Sequence, residues 1–460
     1  MEEYIRIITE QIRCARAREG IARELRNHIE DQAEAYEKEG MEHETALAEA
    51  VRQMGDPVAV GIELDRIHRP DMDWKLLGMT VLLSTGGLLI MALVDAFLWQ
   101  ITGEAGLPFS PGIGKQLLCT GIGLALMLAV CFLDYSLIGR YTWLIYAGFS
   151  LLLIVYGRLS GTINGMHRSL ILPVYLFVPI YAGVLYQLRG QGSPGFVKGL
   201  LLLLPPVLFS RYFIPSLATA FSLLLICVCM LLTAVWKGWF TGTGQSREPL
   251  SASGRVSPRR RKRLLAALTG ACVLLGVTGR LAYTYLLFDF QKRRIAAWLN
   301  PNEYSADAGY LYVQLKKLLA GLNWFSPADT ADAALLSGWS FSGNYELLGI
   351  FVCFGAAAGF LALFLLAVFL FHLFRISLRQ KNQLGMMLGT GCTLVMTLHV
   401  LLGIGVSFGL LPATTVTVPF LTGGGSAAVV YPILVGFLLS VCRYQNVLPD
   451  TAPRARRAGS

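Results

Sequence analysis

The sequence predicts an all-α fold: a polytopic membrane protein of about ten transmembrane helices. A small N-terminal cytoplasmic helical domain precedes them, and a long extracytoplasmic loop separates spans seven and eight. Three observations carry this. The 460-residue chain is 54% hydrophobic and only 15% charged, unlike a soluble domain. Its apolar residues gather in runs of about 20, the length that crosses a bilayer. One long polar stretch, 288–346, interrupts the apolar region from Trp74 to Cys442.

Residues 1–70 come first and stand apart. They hold 10 Lys and Arg against 16 Asp and Glu, a net charge of −6, so the remainder carries +16. Arg18–Glu39 places Ile21, Leu25, Ile29 and Tyr36 on one helical face, and Gly40 is a C-terminal stop. A helix over Glu44–Met54 ends at Gly55, and Asp56-Pro57 opens another with Asp as N-cap and Pro at the first position. Met1–Glu3 runs into a charged helix, which is no signal peptide.

The ten predicted spans are Trp74–Trp99, Ile113–Leu133, Tyr141–Tyr156, Ser169–Leu188, Phe196–Phe213, Ser216–Trp236, Leu264–Leu287, Leu347–Phe374, Leu384–Leu411 and Ser426–Cys442. The third is short and the fifth contains Pro205 and Pro206, so nine is the alternative count. These spans make 74–443 one membrane domain. After Lys75, the segments this topology puts inside hold 18 Lys and Arg and those outside hold nine, which sets both termini in the cytoplasm. The densest inside cluster, Arg259–Arg263, closes a Gly- and Ser-rich linker, 237–263; 444–460 is a cytoplasmic tail. This basic excess is spread over short loops and does not indicate nucleic acid.

Within the long loop, Ile295 to Leu299 and Leu311 to Leu322 have helical apolar spacing and predict two short amphipathic helices on the membrane surface. Asp95, Arg211, Arg280 and His399 are ionisable groups at or near membrane depth, where such groups are costly and usually face a bundle interior or cavity; snorkelling from a helix end accounts equally well for Arg211 and Arg280. Eight of nine cysteines fall in predicted spans without metal-ligand spacing. His28 and Asp31 form a solvated helix face rather than a metal site. No cofactor is expected.

Two resemblances add to this. Through Leu25, His28, Asp31, Glu39-Gly40, Ala46 and Gly55-Asp56-Pro57, the segment Ile21–Ile67 resembles the permease prefix (HAAS-like) domain. That implies a cytoplasmic regulatory or docking module with an unknown partner. The membrane region resembles the FtsW/RodA/SpoVE (SEDS) family of cell shape, division and sporulation. The run FQKRRIAAWLNPNEYSADAGYLYVQ looks like that family's loop segment. Gly409–Ser426, GLLPATTVTVPFLTGGGS, is similar to its Gly-Leu-Leu-Pro-x-Thr-Gly-x-x-Leu-Pro-Phe-x-Ser-Tyr-Gly-Gly-Ser. Weaker matches are Asn164–Arg168 and Pro215–Thr219.

The resemblance implies peptidoglycan synthesis from lipid II beside a class B penicillin-binding transpeptidase. A loop carboxylate would assist the attacking sugar hydroxyl, and cationic groups would hold the diphosphate. It carries over Arg168, Arg293, Arg294, Glu346, Thr422 and Ser426 as substrate-binding candidates. The family's catalytic Asp, however, falls on Gly338. Carboxylates expected at Tyr181 and Ser216 are absent, as is the Tyr expected at Gly423. The first expectation is therefore a member with an impaired or absent glycosyltransferase site. The alternative is an active enzyme using Asp332 or Asp329 as replacement base. A third reading, a permease, lacks support from paired broken helices.

Overall fold

The computed structural model describes residues 1–102, 111–162, 167–240, 287–330, 345–380, 382–414 and 416–445, with isolated positions between 266 and 280 and residue 335. The ordered elements are helical. Four helices open the chain: α1 (Glu2–Gln11), α2 (Ala15–Lys38), α3 (His43–Gln53) and α4 (Pro57–Ile67). Ile5, Ile8, Ile12, Ile21, Ile29, Ala46 and Ala50 are buried among them. At the end of α2, Gly40 has φ +97°. Its N–H bonds the Glu37 carbonyl and the next N–H, of Met41, bonds that of Tyr36. Those two bonds satisfy helix-end carbonyls, and only glycine takes the required left-handed turn without cost. Asp56 caps α4 by accepting the Ala59 N–H at 3.0 Å.

The membrane bundle follows. It comprises α5 (Trp74–Thr102), α6 (Pro111–Phe132), the short α7 (Ser136–Arg140) and α8 (Thr142–Leu159). Two 3₁₀ turns lead into α9 (Phe177–Gln187), then α10 (Gly192–Leu202), α11 (Leu204–Tyr212) and α12 (Leu217–Trp236). Beyond the polar helices α13 (Asp289–Leu299) and α14 (Tyr310–Ala320) come α15 (Glu346–Phe354), α16 (Ala356–Arg379), α17 (Gln383–Ser407) and α18 (Gly425–Arg443). Among the described residues nine segments are long and apolar enough to cross a membrane. The predicted span Leu264–Leu287 lies almost wholly outside the described residues. The two amphipathic loop helices are present as α13 and α14.

Two predicted spans differ in form. Phe196–Phe213 is broken at Leu203, just before Pro205 and Pro206, into α10 and α11. Leu347–Phe374 is two helices meeting at Gly355, whose φ is +87°. In one continuous helix Phe351 and Phe360 would stand ~13 Å apart along the axis. Their rings instead meet edge to face at 5.3 Å, so the chain doubles back at Gly355. Periodicity did not reveal the break, because both arms are apolar. The corner is stitched to the polar loop: Ala356 N–H donates to the Asn323 carbonyl (2.8 Å) and Ala357 N–H to that of Trp324 (3.0 Å). The Ala328 N–H in turn donates to the Val352 carbonyl (2.9 Å).

α6 and α18 run parallel in contact along their length. An added Cβ at Gly123 would lie 2.0 Å from the Ala428 carbonyl oxygen, and one at Gly425 3.0 Å from Cys119 Sγ. Small residues allow this approach where lipid supplies no hydrophobic drive for helix pairing. At the opposite end of the bundle from the Gly355 corner, His372 Nε2 of α16 lies 3.1 Å from Asp73 Oδ2, just before α5, and Asp73 Oδ1 accepts the Leu76 N–H at 2.9 Å.

Gly123→Ala is expected to lower stability by ~1–3 kcal/mol, the usual cost of overpacking. Gly121→Ala, with nothing within 4 Å of the new methyl, is expected to be neutral or to gain ~0.5–1 kcal/mol of helix preference. Thermal unfolding of the two variants in the same detergent checks the contrast, and equal melting temperatures would contradict the seam.

Candidate functional site

Between α17 and α18, residues 416–424 are non-helical yet lie deep in the bundle. The Phe420 carbonyl meets α5 at Gly87, near that helix's middle, where a Cβ would come within 1.8 Å of the oxygen. Phe420 itself has φ +66°, a strained conformation for a bulky residue. Thr422 holds the turn: its N–H donates to the Val418 carbonyl (3.2 Å), and its Oγ1 accepts the Val418 N–H (2.6 Å). The next two amides reach other elements. Gly423 N–H donates to Glu346 Oε1 at 3.1 Å, and Gly424 N–H to Gln116 Oε1 at 2.9 Å. Glu346 opens α15, so the doubling-back at Gly355 is what carries this carboxylate to the level of Met91 and Gly423. Asp95, one helical turn beyond Met91 on α5, acts electrostatically on it. Ser426 stands half-buried in the first turn of α18.

A second polar cluster lies on the α9–α12–α17 side. His399 is buried; its Nδ1 is 3.1 Å from the Tyr431 hydroxyl, and its ring stands edge-on to Tyr175 at 4.4 Å. Tyr431 also donates to the Thr417 carbonyl (2.9 Å) and pairs with Thr417 Oγ1 (2.7 Å). Tyr175, Thr219, Ser222, His399 and Thr417 line a small cavity there. Of these, only His399 stood out as an ionisable group in an apolar run; Tyr431, Tyr175 and Thr417 carried no sequence signal of their own.

The polar loop is tied down from above. Trp298 Nε1 donates to the Gly409 carbonyl (3.0 Å), and the Tyr312 hydroxyl accepts the Ala413 N–H (2.8 Å). Burial pushes the Tyr312 hydroxyl above its ordinary pKa, keeping it protonated, while Arg294 opposes the shift. Arg294 thereby lies near Tyr312 and Tyr345, its guanidinium also 5.9 Å from the Phe290 ring. Arg168 and Arg293 are exposed and, among the described residues, bond to none of the other candidates. Asp329 is exposed next to Ala328, which bonds Val352 near the far end of α15. The structure therefore brings Glu346 and Thr422 together with Gly423, and leaves Asp329 at the Gly355 corner. Asp332 and Gly338 lie outside the described residues.

The positions that depart from the family pattern have visible duties. Ser216 caps α12, its Oγ accepting from Thr219 N (3.3 Å) and Thr219 Oγ1 (2.8 Å). Buried Tyr181 donates to the Gly199 carbonyl (3.0 Å), joining α9 to α10. At Gly423 a Cβ would meet Met91 Sδ at 2.9 Å, so a side chain there would require the flexible Met91 to shift.

The arrangement defines a class: a multi-pass helical bundle with a re-entrant half-helix and an embedded, glycine-rich loop. Comparison with known proteins agrees. Residues 349–447 match the FtsW/RodA/SpoVE family of cell cycle proteins. Stage V sporulation protein E of Bacillus subtilis (strain 168) is 26% identical over 407 residues, covering 81% of this chain and 98% of the relative. The probable peptidoglycan glycosyltransferase FtsW of Geobacter sp. (strain M18) is 24% identical over 393 residues, 80% of this chain and 96% of the relative. Among solved structures, a chain of a peptidoglycan synthase complex superposes with TM-score 0.55 at 19% identity, over 81% of this chain and 99% of that one. RodA of Thermus thermophilus gives 0.50 at 17% identity, over 81% and 97%. The chain is thus similar to FtsW/RodA/SpoVE proteins over about four fifths of its length and shares their multi-pass helical fold.

Glu346→Ala is expected to destabilise the bundle by ~1–3 kcal/mol, because it strands the half-buried Gly423 N–H. Glu346→Gln keeps an acceptor and should lose less than half as much. Thermal unfolding of both variants checks this; equal losses would mean the hydrogen bond contributes little.

Proposed function

We propose that this protein serves peptidoglycan synthesis as a divergent SEDS-like member whose lipid II glycosyltransferase site is impaired or absent. The observation that carries this reading is the role of the altered polar positions. Ser216 caps a helix, Tyr181 ties two helices together, and Gly423 offers no side chain and turns its N–H to Glu346. Each is spent on packing rather than presented to a substrate. Gly338, at the position where the resemblance puts the catalytic Asp, offers no proton acceptor. The exposed position of Asp329 at the Gly355 corner argues against it as the replacement base.

In this reading the bundle is a scaffold. Its partner is a class B penicillin-binding transpeptidase, in keeping with the structural neighbour described as coordinating polymerization and crosslinking. Residues 1–70 act as a cytoplasmic permease-prefix-like module, and 288–346 is the extracytoplasmic loop, its last residue, Glu346, turned into the bundle. Arg168, Arg293, Arg294 and Ser426 are the groups left for contact with lipid II or its diphosphate.

The purified protein is expected to polymerise lipid II poorly or not at all, since general-base help is typically worth ~10²–10⁴-fold in rate. Glycan synthesis by the wild type that vanishes in Asp332→Ala would replace the scaffold reading by an enzyme using Asp332. Synthesis that survives that change would also overturn it.

For the topology, Ser305→Cys should react with an impermeant thiol reagent in whole cells lacking competing thiols, and Arg255→Cys should not. The reverse pattern would invert the orientation.

A further inference from the structure

The N-terminal helices end in an exposed apolar face. α4 turns Gly61 towards α1, where an added Cβ would meet Gln11 at 2.8 Å. At about 100° per residue, the opposite side of α4 holds Val58, Ala59, Ile62 and Arg66. All four are exposed, Ile62 by 59%. The apolar exposure continues through Ile67 (55%) to Trp74 (71%), which opens the first span.

Ion pairing sets this end of the domain apart. Arg6, Arg13, Arg23, Arg26, Lys38 and Arg52 each reach a carboxylate within 3.9 Å. Arg18 bonds the Ile12 carbonyl. Arg66, Arg69 and Lys75 are exposed and, among the described residues, reach no carboxylate. Net charge is divided in the same way. Residues 39–56 hold five acids against Arg52, a net of −4, whereas 57–70 hold two acids against two Arg. The acidic surplus is centred on α3, and α4 is free of it.

The tether selects the surface that this face meets. Six residues separate Ile67 from Trp74, a reach of ~25 Å at most. Its last part is turned, with the Trp74 N–H on the Met72 carbonyl (2.9 Å) and the Leu76 N–H on Asp73 Oδ1 (2.9 Å). The end of α4 is therefore always beside lipid headgroups, and at such an effective concentration a weak surface affinity suffices. Apolar residues beside unpaired cations suit the boundary between acyl chains and phosphates. The same anionic surface repels the acidic surplus and so turns α3 away from it.

We propose that α4 lies on the membrane surface, with Val58 and Ile62 in the headgroup–acyl boundary and Arg66 and Arg69 on lipid phosphates. This does not depend on glycosyl transfer. It also holds on either side of the membrane, because the tether fixes only the distance to the first span.

The test uses the full-length protein in nanodiscs of phosphatidylglycerol and phosphatidylcholine. It carries a nitroxide at Ile62→Cys or, as control, at Glu44→Cys on α3, in a background lacking competing thiols. Both positions are exposed, so the label leaves packing untouched, and Val58→Cys repeats the reading one turn away. Electron paramagnetic resonance reads collisions with oxygen, which concentrates in the bilayer, and with a neutral water-soluble nickel chelate. Position 62 is expected to favour oxygen and position 44 nickel. Arg66→Gln together with Arg69→Gln should lower the docked-to-free ratio at position 62 roughly thirtyfold, about fivefold per charge. Glu63→Gln, which removes the acid bordering the face, should raise it. A label at 58 and 62 as open to nickel as at 44 would overturn the docking. Protection from both reagents would mean that the face packs on protein, and would overturn it as well. An oxygen-favouring label unmoved by loss of the two arginines would overturn the phosphate contact.

Discussion

Backbone N–H and C=O groups cannot be left unpaired in hydrocarbon, and the whole loop side of this bundle is arranged around that constraint. Two stretches, 416–424 and the Gly355 corner, carry non-helical backbone within the bundle. Each is tolerated because the other, or a neighbouring helix, supplies its partners. Glu346 takes the Gly423 amide and Gln116 the Gly424 amide, while the Gly355 corner takes its acceptors from Asn323 and Trp324. Removing any one of these elements exposes polar backbone in the others, so the half-helix, the embedded loop and the polar loop above them form one interdependent structure.

Much of the fold was legible because span length leaves a strong mark on composition, which also set the ends of α12 and α18 to within a residue. The caps at Gly40 and Asp56 followed from local rules of turn and cap chemistry, and the two loop helices from apolar periodicity. What stayed hidden was direction. Leu347–Phe374 is uniformly apolar, so nothing in its hydrophobicity marks where the chain reverses; Gly355 is one glycine among several. The site was legible in the same uneven way. Glu346 and Thr422 came from motif positions and do meet around Gly423. Tyr431 and Thr417 enter the His399 cluster only through packing of distant segments, which a single chain read in order does not display.

The altered family positions carry a lesson about substitution. Asp and Ser both cap helices, so Ser216 retains the structural half of an acidic residue's role while giving up its charge. Tyr181 turns a position in the interior into a hydrogen-bonded strut. Each of these two positions thus serves as a joint of the fold, one as a helix cap and the other as a tie between α9 and α10.

The contact between Asp73 and His372 fastens the start of the first span to the far end of α16. From His372 back to Gly355 the helix is an unbroken rod of ~25 Å, and at its other end sits the corner that turns into the Glu346 half-helix. A pull on the connector after α4 therefore has two places to go: it breaks the Asp73–His372 link, or it travels along the rod and loads the Gly355 bend. The first disconnects the N-terminal helices from the carboxylate site; the second makes them a handle on it.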